Sequence, residues 1–527
     1  MKETPITPQE WRWTVGWSVA VVLLSCLPYL IATATAPEGW QFVGILVNPY
    51  DGNSYLAKIQ QGLAGDWLFH LTYTPEPHEG AFIFTFYLAL GHLAALLNLP
   101  PVWMFHLARV VAGLGLLLAA FRFIASVTPQ FQERRLAFGL TLSAAGLGWL
   151  GAAFGAFPID LWVPEAFVPY SLYANPHFPL AMMLMLIILQ PFNRPKPFNL
   201  YSDQFITVAL AALALSLILP FALLTTIAVL LVFVGWLYFN RRCLPWPHIW
   251  LTLSVGLFSA PVILYDYWVY TTNPILAGWS AQNITSAPSL LNLLLGYGLV
   301  GLLAVGGGGW LIRRRAEAGE GLVLAWAVTT LILLYLPFDL QRRLITGLHL
   351  PLCLLAAIGL QRWLAKSPIK LRYRHLITTT VVALGALGTL FVWSLPLLAT
   401  RQSPETFEAT ALLFLRPEEE AALDWLRKNV TPDSVILASP RLGMFVPGQT
   451  GTRVFYGHPF ETIAAKDKKA QVEAFYRGEV ATVTPPVDFI LYGPEERKLG
   501  QPKNLAAWPV VFSTNNLLIL APSANRD

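Results

Sequence analysis

The chain has 527 residues, of which 55% are hydrophobic and only 12% are charged, whereas an ordinary soluble domain has roughly 25% charged residues. This composition excludes a chain built only of water-soluble domains. The net charge of +5 does not indicate a nucleic-acid partner, because the basic excess lies entirely within the apolar first 400 residues.

The charged residues divide the chain into two parts. They make up 9% of residues 1–400 and 23% of residues 401–527. We therefore expect a transmembrane bundle over 1–400, with an acidic first outer loop at 35–101, and a water-exposed domain over 401–527. The three cysteines, Cys26, Cys243 and Cys353, are not spaced as metal ligands, so neither a disulfide framework nor a zinc site is expected.

Eleven apolar segments approach the length of about 20 residues that a helix needs to cross a bilayer. The predicted spans are 14–34, 102–125, 136–156, 178–192, 204–219, 221–239, 248–268, 289–312, 321–337, 345–363 and 376–398. The first segment keeps Trp11, Trp13 and Trp17 at its start and has no small-residue cleavage site after it. It is therefore interpreted as a span and not as a signal peptide.

The basic residues predict the orientation, because short cytoplasmic loops are enriched in Lys and Arg. With a cytoplasmic N-terminus, 17 of the 21 basic residues of the first part fall inside. They are Lys2, Arg12, Arg122, Arg134, Arg135, Arg194, Lys196, Arg241, Arg242, Arg313, Arg314, Arg315, Arg362, Lys366, Lys370, Arg372 and Arg374. This pattern predicts an integral protein of the plasma (inner) membrane whose 401–527 domain is extracytoplasmic.

A further apolar stretch, 81–101, is not counted as a span. Counting it would move every basic loop from Arg134 onward to the outer side. We interpret it as a helix, carrying His92, that lies in the outer interface or packs beside the bundle. The alternative is that it does span and that a second error elsewhere restores the parity.

The 401–527 segment has the pattern of a small α/β domain. PEEEAALDWLRKN predicts a helix with acidic residues in its first turn, and AAKDKKAQVEAFYRG predicts another. SVILAS, RVFYG, VDFILYG and NNLLILA are apolar runs of strand length. No nucleotide-binding or nucleophile-elbow motif occurs in this segment.

Two predicted outer loops combine acidic and aromatic residues. In NPYDGNSYLAKIQQGLAG, Asp51 stands four residues before Tyr55, at what resembles a helix N-cap, a position worth about 1 kcal/mol by itself. The second loop, FPIDLWVPEAFVPYSLYANPH, contains Asp160 and Glu165. Together the loops predict a polar cleft at the outer membrane surface.

Arg342 and Arg343 violate the positive-inside pattern, in PFDLQRRLITGLHLP. Paired guanidinium groups at headgroup depth suit a phosphate, because each offers forked, charge-assisted donors. Neutralisation by Asp339 or contact with ordinary phospholipid explains the pair equally well.

Other polar and aromatic residues have two interpretations each. His458 and Glu461, in VFYGHPFET, either stabilise a turn or reach the cleft. The aromatic residues of the outer loops either stack on sugar faces or form an interfacial belt. They are Trp40, Trp67, Tyr73, Trp162, Tyr170 and Tyr173.

These features together resemble the GT-C superfamily of polyprenyl-phosphate-dependent membrane glycosyltransferases. The shared elements are an aspartate in a D-x-x-x-Y setting in the first outer loop (Asp51 and Tyr55), an interfacial helix, a basic residue in the second span (Arg109), an acidic second outer loop, a late outer arginine and a C-terminal external domain. The chain departs from the superfamily in two motifs. Gly52 replaces the second acid of the usual first-loop pair, and no WWDYG element occurs.

The resemblance implies a mostly α, polytopic bundle that transfers a sugar, with inversion, from a polyprenyl-phosphate donor on the extracytoplasmic face. It implies Asp51 as the catalytic carboxylate, Glu165 or Asp160 as a second acid positioning acceptor or metal, and Arg342 or Arg343 as ligands of the donor phosphate. The further substrate-binding candidates are Tyr55, Arg109 and His458. Membrane lipid is an expected partner. The acceptor (lipid, glycan or protein) and the need for a divalent metal stay open.

Two other classes of protein are compatible with the sequence. A transporter or lipid-handling protein would line a pathway with charged side chains inside its spans, but Arg109 is almost the only such charge. A GT-C-like scaffold or assembly subunit that has lost catalysis is also compatible, because the second acid beside Asp51 is missing.

The topology is directly testable. A reporter fused after Asp527 is expected to be active only outside the cytoplasm, and one inserted in the 362–375 loop only inside it, because of the distribution of basic residues. A cytoplasmic signal from the C-terminal fusion would contradict the orientation and with it the proposed outer site.

Overall fold

The computed structural model describes residues 5–193, 202–503 and 505–521. Arg194 and Lys196, which the topology prediction places inside, lie outside these ranges, as does Lys2. The described residues form two compact units. Unit 1 comprises Met1–Pro28, Leu107–Tyr265 and Ile284–Leu395, and unit 2 comprises Tyr29–His106, Asp266–Asn283 and Pro396–Asp527. The first outer loop and the C-terminal segment thus belong to the same unit.

The polytopic helical bundle is confirmed, and seven of the eleven predicted spans correspond to helices of spanning length. Within the described residues, seven helices are long and apolar enough to cross a bilayer: Pro8–Ala34, Pro101–Val127, Phe131–Ala153, Pro220–Arg241, Trp246–Thr272, Leu290–Arg313 and Leu371–Ala399. The four other predicted spans overlap helices that are shorter or less apolar, so their crossing of the bilayer stays a prediction: His177–Leu189, Asp203–Ile218, Ala318–Leu334 and His349–Lys366. The chain is therefore an integral membrane protein with a polytopic helical bundle.

One predicted span, 136–156, is interrupted. The helix Phe131–Ser143 ends, and a short helix, Gly148–Ala153, follows. In the gap, Leu147 N donates to Leu295 O at 2.9 Å and Ala145 N donates to Gly385 O at 3.1 Å. Such bonds to neighbouring helices replace the missing intrahelical ones, as a low-dielectric environment requires.

Close backbone contact makes these hydrogen bonds possible. A Cβ on Gly146 would lie 1.8 Å from the carbonyl oxygen of Gly296. Gly298 has a φ of +43° inside the Leu290–Arg313 helix, a conformation that favours glycine. The broken helix therefore depends on glycine in both of the segments that meet there.

Ion pairs connect the helices of unit 1 at the predicted cytoplasmic end. Arg134 pairs with Glu10 at 3.0 Å, and Arg362 pairs with Glu133 at 2.7 Å and with Glu320 at 3.2 Å. The carboxylates are buried, so their pairing with arginine compensates for the loss of hydration.

Unit 2 contains an α/β fold. The strands of its main sheet have the order Arg453–Val454, Val435–Leu437, Phe489–Tyr492, Leu518–Leu520 and Val510–Ser513. The first three are parallel and the last two pair antiparallel. The helices of the segment are Glu408–Ala411, Pro417–Asn429, Pro440–Thr450, Ala465–Tyr476 and Pro494–Leu499. All four predicted strand runs contain a strand, and both predicted helices are present.

The first outer loop packs into this α/β fold. Its helices are Pro49–Ala64 and Thr85–Leu97, and Pro274–Gln282 completes the unit. Gln41–Phe42 pairs antiparallel with Phe414–Leu415, and one hydrophobic core contains Ala57 and Tyr73 together with Leu423 and Ile436. The core of unit 2 is thus shared by two segments that are far apart in sequence.

The Thr85–Leu97 helix corresponds to the stretch that was not counted as a span. Its 13 residues are about 20 Å long, shorter than the roughly 30 Å of a hydrocarbon core. A Cβ on Gly91 would lie 2.2 Å from Ile59 O, so this helix contacts the backbone of Pro49–Ala64. The predicted span at 178–192 contains a helix of the same length, His177–Leu189, so the interfacial position of Thr85–Leu97 stays a prediction.

Candidate functional site

Two candidate residues of unit 1, Arg342 and Arg343, lie near a third, Glu165. This side chain is buried, and its Oε1 lies 3.9 Å from Nε of Arg342. Burial raises the pKa of Glu165, although the charges of Arg342 and Arg343 oppose the shift. The acid that faces Arg342 is therefore Glu165 and not Asp339, the neighbour in sequence.

Aromatic rings support the two arginines. The guanidinium of Arg342 lies 4.9 Å from the ring centroid of Trp162, and that of Arg343 lies 5.1 Å from the ring of Phe221. Nε of Arg342 makes no hydrogen bond within the described chain. The side chain as a whole is 29% exposed. Arg342 is thus held in place by a ring and a loose ion pair, with donor capacity left for another anion.

Asp160 lies in the same loop and contacts the interrupted helix. Its Oδ2 accepts a hydrogen bond of 2.9 Å from Gly148 N, at the start of Gly148–Ala153. Burial raises the pKa of Asp160 to about 7 against the effect of this bond. The geometry gives Asp160 a helix-capping contact, and its role in binding an acceptor or metal stays a prediction.

Arg109 lies inside the Pro101–Val127 helix and is buried. It donates to Leu172 O at 2.6 Å, to Ser25 Oγ at 3.2 Å and to Cys26 Sγ at 3.3 Å. These contacts join three segments of unit 1. A positioning role in the bundle follows from them, and substrate binding by Arg109 is untested.

The candidate residues of unit 2 lie on and beneath the Pro49–Ala64 helix. The helix N-cap is Asn48, in a left-handed conformation with Pro49 following, so the interpretation of Asp51 as the cap is wrong. Proline suits the first helical position because its φ is already helical. Asp51 is an exposed residue of the first turn, where a negative charge stabilises a helix by about 0.3–1 kcal/mol.

Tyr55 follows one turn later and stacks on Tyr87. The ring centroids are 4.4 Å apart and the rings are 9° from parallel. Tyr55 is half-buried. The D-x-x-x-Y pair is therefore anchored through its tyrosine to the Thr85–Leu97 helix.

Below this surface, Lys58 forms a buried ion pair with Glu461 of the C-terminal segment. Lys58 Nζ lies 2.9 Å from Glu461 Oε1, and Ser54 Oγ hydrogen-bonds to the same oxygen. Burial would raise the pKa of Glu461, but the charges of Lys58 and His458 and the hydrogen bonds hold it below its ordinary value. This pair accounts for Lys58, a basic residue on the predicted outer side.

His458 is enclosed by aromatic rings. Its ring lies 5.5 Å from that of Tyr50 and 5.2 Å from that of Tyr73, and its Nδ1 accepts from the backbone N–H groups of Phe460 and Glu461. Burial lowers the pKa of His458 despite the nearby carboxylates Glu461 and Asp51. The neutral ring thus fixes the turn that carries Glu461, as the simpler interpretation of the sequence expected.

Sequence reasoning missed two parts of this arrangement. Glu76, in the first outer loop, forms an ion pair with Lys468, and Arg453 donates to Thr74 O at 3.1 Å. The partners are 392 and 379 residues apart, so no local pattern could pair them. The metal question also stays open: within the described ranges, no three His, Cys, Asp or Glu side chains form a group that could hold a metal ion.

Sequence comparisons alone do not assign the chain to a family. No family profile matches the chain. Bacteriorhodopsin of Halobacterium halobium is 35% identical over 96 residues, which cover 18% of this chain and 40% of that protein. A match to so small a share of both chains establishes no family.

Solved structures match along nearly the whole chain. ArnT of Cupriavidus metallidurans, bound to undecaprenyl phosphate, has a TM-score of 0.55 and 14% identity, with 97% of this chain and 98% of that chain covered. The Archaeoglobus fulgidus oligosaccharyltransferase tethered to an acceptor peptide has a TM-score of 0.53 and 12% identity, with 91% and 69% covered. The chain therefore has the fold of the GT-C glycosyltransferases, and the fold prediction is confirmed.

The buried ion pair yields a stability prediction. Lys58→Met leaves the Glu461 carboxylate unpaired and is expected to cost about 3–5 kcal/mol, measured as a lowered Tm in detergent. Lys58→Met combined with Glu461→Gln should recover much of this loss. As a control, Lys428→Met breaks the exposed pair with Asp424 and should cost less than about 1 kcal/mol.

The same pair predicts a pH dependence. Because the pKa of Glu461 is lowered in the folded protein, its contribution is complete above the ordinary value of 4.5 and is lost as the pH falls through the folded value. The wild type should therefore lose more stability than the double variant below pH 4.5. Equal losses, or equal costs for Lys58→Met and Lys428→Met, would contradict the pairing.

Proposed function

We propose that this membrane protein is a glycosyltransferase that moves a sugar from a polyprenyl-phosphate donor to an acceptor on the extracytoplasmic face. The observation that carries the proposal is the set of contacts that the Arg342 side chain makes and its remaining exposure. Its side chain is partly exposed, stacked on Trp162 and only loosely paired with Glu165, in a chain that has the GT-C fold. Its neighbour Arg343 brings a second positive charge.

The charge balance around the arginines supports phosphate binding. The buried carboxylate of Glu165 faces the guanidinium groups of Arg342 and Arg343, so these three side chains together carry an excess of positive charge. An anion can bind at the partly exposed side of Arg342. A leaving phosphate gains negative charge as the glycosidic bond breaks, and pre-positioned cations stabilise that charge. The isoprenoid tail of such a donor would remain in the bilayer.

Asp51 is the proposed general base. In the proposed reaction an acceptor hydroxyl oxygen attacks the anomeric carbon, the carbon–oxygen bond to the phosphate breaks, and the bonding electrons leave with the phosphate. The hydroxyl proton passes to the Asp51 carboxylate. An exposed carboxylate in the first helical turn suits this role, because it can meet a water-borne acceptor.

The positions of the remaining candidates suggest supporting roles. Glu165 holds Arg342 in place, and Tyr55, stacked on Tyr87, limits the movement of the turn that carries Asp51. The contacts of His458, Lys58 and Glu461 hold the buried side of the Pro49–Ala64 helix, which carries Asp51. The structural neighbours bound to undecaprenyl phosphate and to an acceptor peptide are consistent with this assignment but do not identify the donor sugar or the acceptor.

Donor binding tests the arginines. Arg342→Gln removes a charged donor and is expected to weaken binding of a polyprenyl monophosphate by about 10- to 100-fold, since a hydrogen bond to a charged group is worth roughly 1.5–3 kcal/mol. Arg342→Lys keeps the charge but loses the forked pair of donors, so its affinity should lie between those of the wild type and Arg342→Gln. Arg315→Gln, at the predicted cytoplasmic end, is the control. Unchanged affinity in Arg342→Gln, Arg343→Gln and their double variant would contradict the phosphate site.

Turnover tests Asp51. Asp51→Asn keeps the size of the side chain and removes the proton acceptor, so release of polyprenyl phosphate from the lipid-linked sugars of the source membranes should fall by roughly 10²- to 10⁴-fold. The helix loses at most about 1 kcal/mol of dipole stabilisation, which a Tm measurement checks. Full turnover in the Asn variant would exclude Asp51 as the base, and donor binding without any turnover in the wild type would favour a scaffold.

A further inference from the structure

Unit 1 contains an open cleft that includes none of the candidate catalytic residues. Its volume is about 570 Å³, within the usual range for ligand pockets, about 300–1,000 Å³. It lies between the Pro8–Ala34, Phe131–Ser143, His349–Lys366 and Leu371–Ala399 helices. Three of these helices are, or belong to, segments with the length and composition of membrane spans, so we expect part of the cleft wall to lie at membrane depth.

The lining of the cleft has an apolar part and a polar, basic part. The apolar part includes Val21, Leu136, Gly139, Leu142 and Val382. The polar part contains the basic residues Arg135, Arg374 and His375, together with Gln132, Gln361, Ser143, Thr378 and Thr379. An occupant that satisfies both parts must be amphipathic and must have an anionic head.

The two arginines of the cleft differ from the arginines beside them. Arg134 and Arg362 are neutralised by Glu10 and Glu133. In contrast, neither Arg135 nor Arg374 forms an ion pair with any carboxylate of the described ranges. The nearby acids are already paired, so the positive charge of the cleft is not compensated by the protein.

The protein nevertheless holds both guanidinium groups in position. Arg135 stacks against Trp13 and Phe131, with 5.6 Å and 5.5 Å between the guanidinium carbon and the ring centroids. Arg374 donates to Ile369 O at 2.8 Å and to Ser367 O at 2.9 Å. These contacts reduce the conformational entropy that an anion would have to remove on binding.

We propose that this cleft binds one anionic glycerophospholipid. Its phosphodiester contacts Arg135 and Arg374, and an acyl chain lies along the apolar wall beside Gly139 and Val382. Both arginines belong to predicted cytoplasmic loops, so the lipid comes from the cytoplasmic leaflet. The predicted donor-phosphate site at Arg342 is on the opposite side, and the proposal does not depend on the proposed transferase function.

Lipid binding to the full-length purified protein tests the proposal by native mass spectrometry. Phosphatidylglycerol is expected to bind more tightly than phosphatidylcholine. Arg135→Gln and Arg374→Gln should each weaken phosphatidylglycerol binding about fivefold, and the double variant roughly 30-fold, from about 1 kcal/mol per basic residue near an anionic lipid. Arg135→Lys should retain most of the affinity. Arg372→Gln, exposed and outside the lining, is the matched control.

A second variant separates lipid binding from loss of folding. A Cβ on Gly139 would contact only Val382, at 3.6 Å, so Gly139→Leu fills the apolar wall and leaves the arginines unchanged. It should abolish phosphatidylglycerol binding while the Tm stays near that of the wild type.

Four results would overturn the proposal. They are equal affinity for phosphatidylcholine, unchanged binding in the double variant, displacement of the lipid by millimolar inorganic phosphate, and preferential binding of a polyprenyl monophosphate that requires Arg374. A concentration-dependent dimer that Gly139→Leu dissociates would likewise replace the lipid with a second copy of the chain.

Discussion

The structure depends on one electrostatic constraint: a charge that is removed from water needs a partner, because its desolvation costs several kcal/mol. Among the described residues, each buried acidic or basic side chain has at least one polar partner. Lys58 and Glu461 join the first outer loop to the C-terminal segment, and Arg134 and Glu10 join two helices at the predicted cytoplasmic end. The same pairs therefore fix the internal arrangement of both units.

Against this background, incomplete pairing distinguishes the arginines that are available for ligands. Arg342 faces its carboxylate at 3.9 Å, compared with 2.9 Å for Lys58 and 2.7 Å for Arg362. An excess of positive charge beside a buried acid suits the proposed transfer, because the leaving phosphate must be stabilised. The fold and the charge balance thus support the same proposed chemistry.

The sequence predicted the helices well, because apolar segments of about 20 residues have few alternatives in a bilayer. It could not reveal the break after Ser143, which relies on the distant Gly296 and Gly298, or the helix Pro440–Thr450, whose glycines and Pro447 disfavour a helix locally. Asp51 was misplaced as a cap because the left-handed conformation of Asn48 is not visible in sequence. Lys58 and Glu461 are 403 residues apart, so no local pattern could pair them.

The central claim is that a lipid-linked phosphate binds at Arg342 and Arg343. The most direct measurement is a cryo-EM structure of the full chain in nanodiscs that contain saturating polyprenyl monophosphate. The account predicts phosphate density in contact with at least one of the two guanidinium groups, with Arg342 still stacked on Trp162. Phosphate density elsewhere in the protein, with both arginines unoccupied, would contradict it.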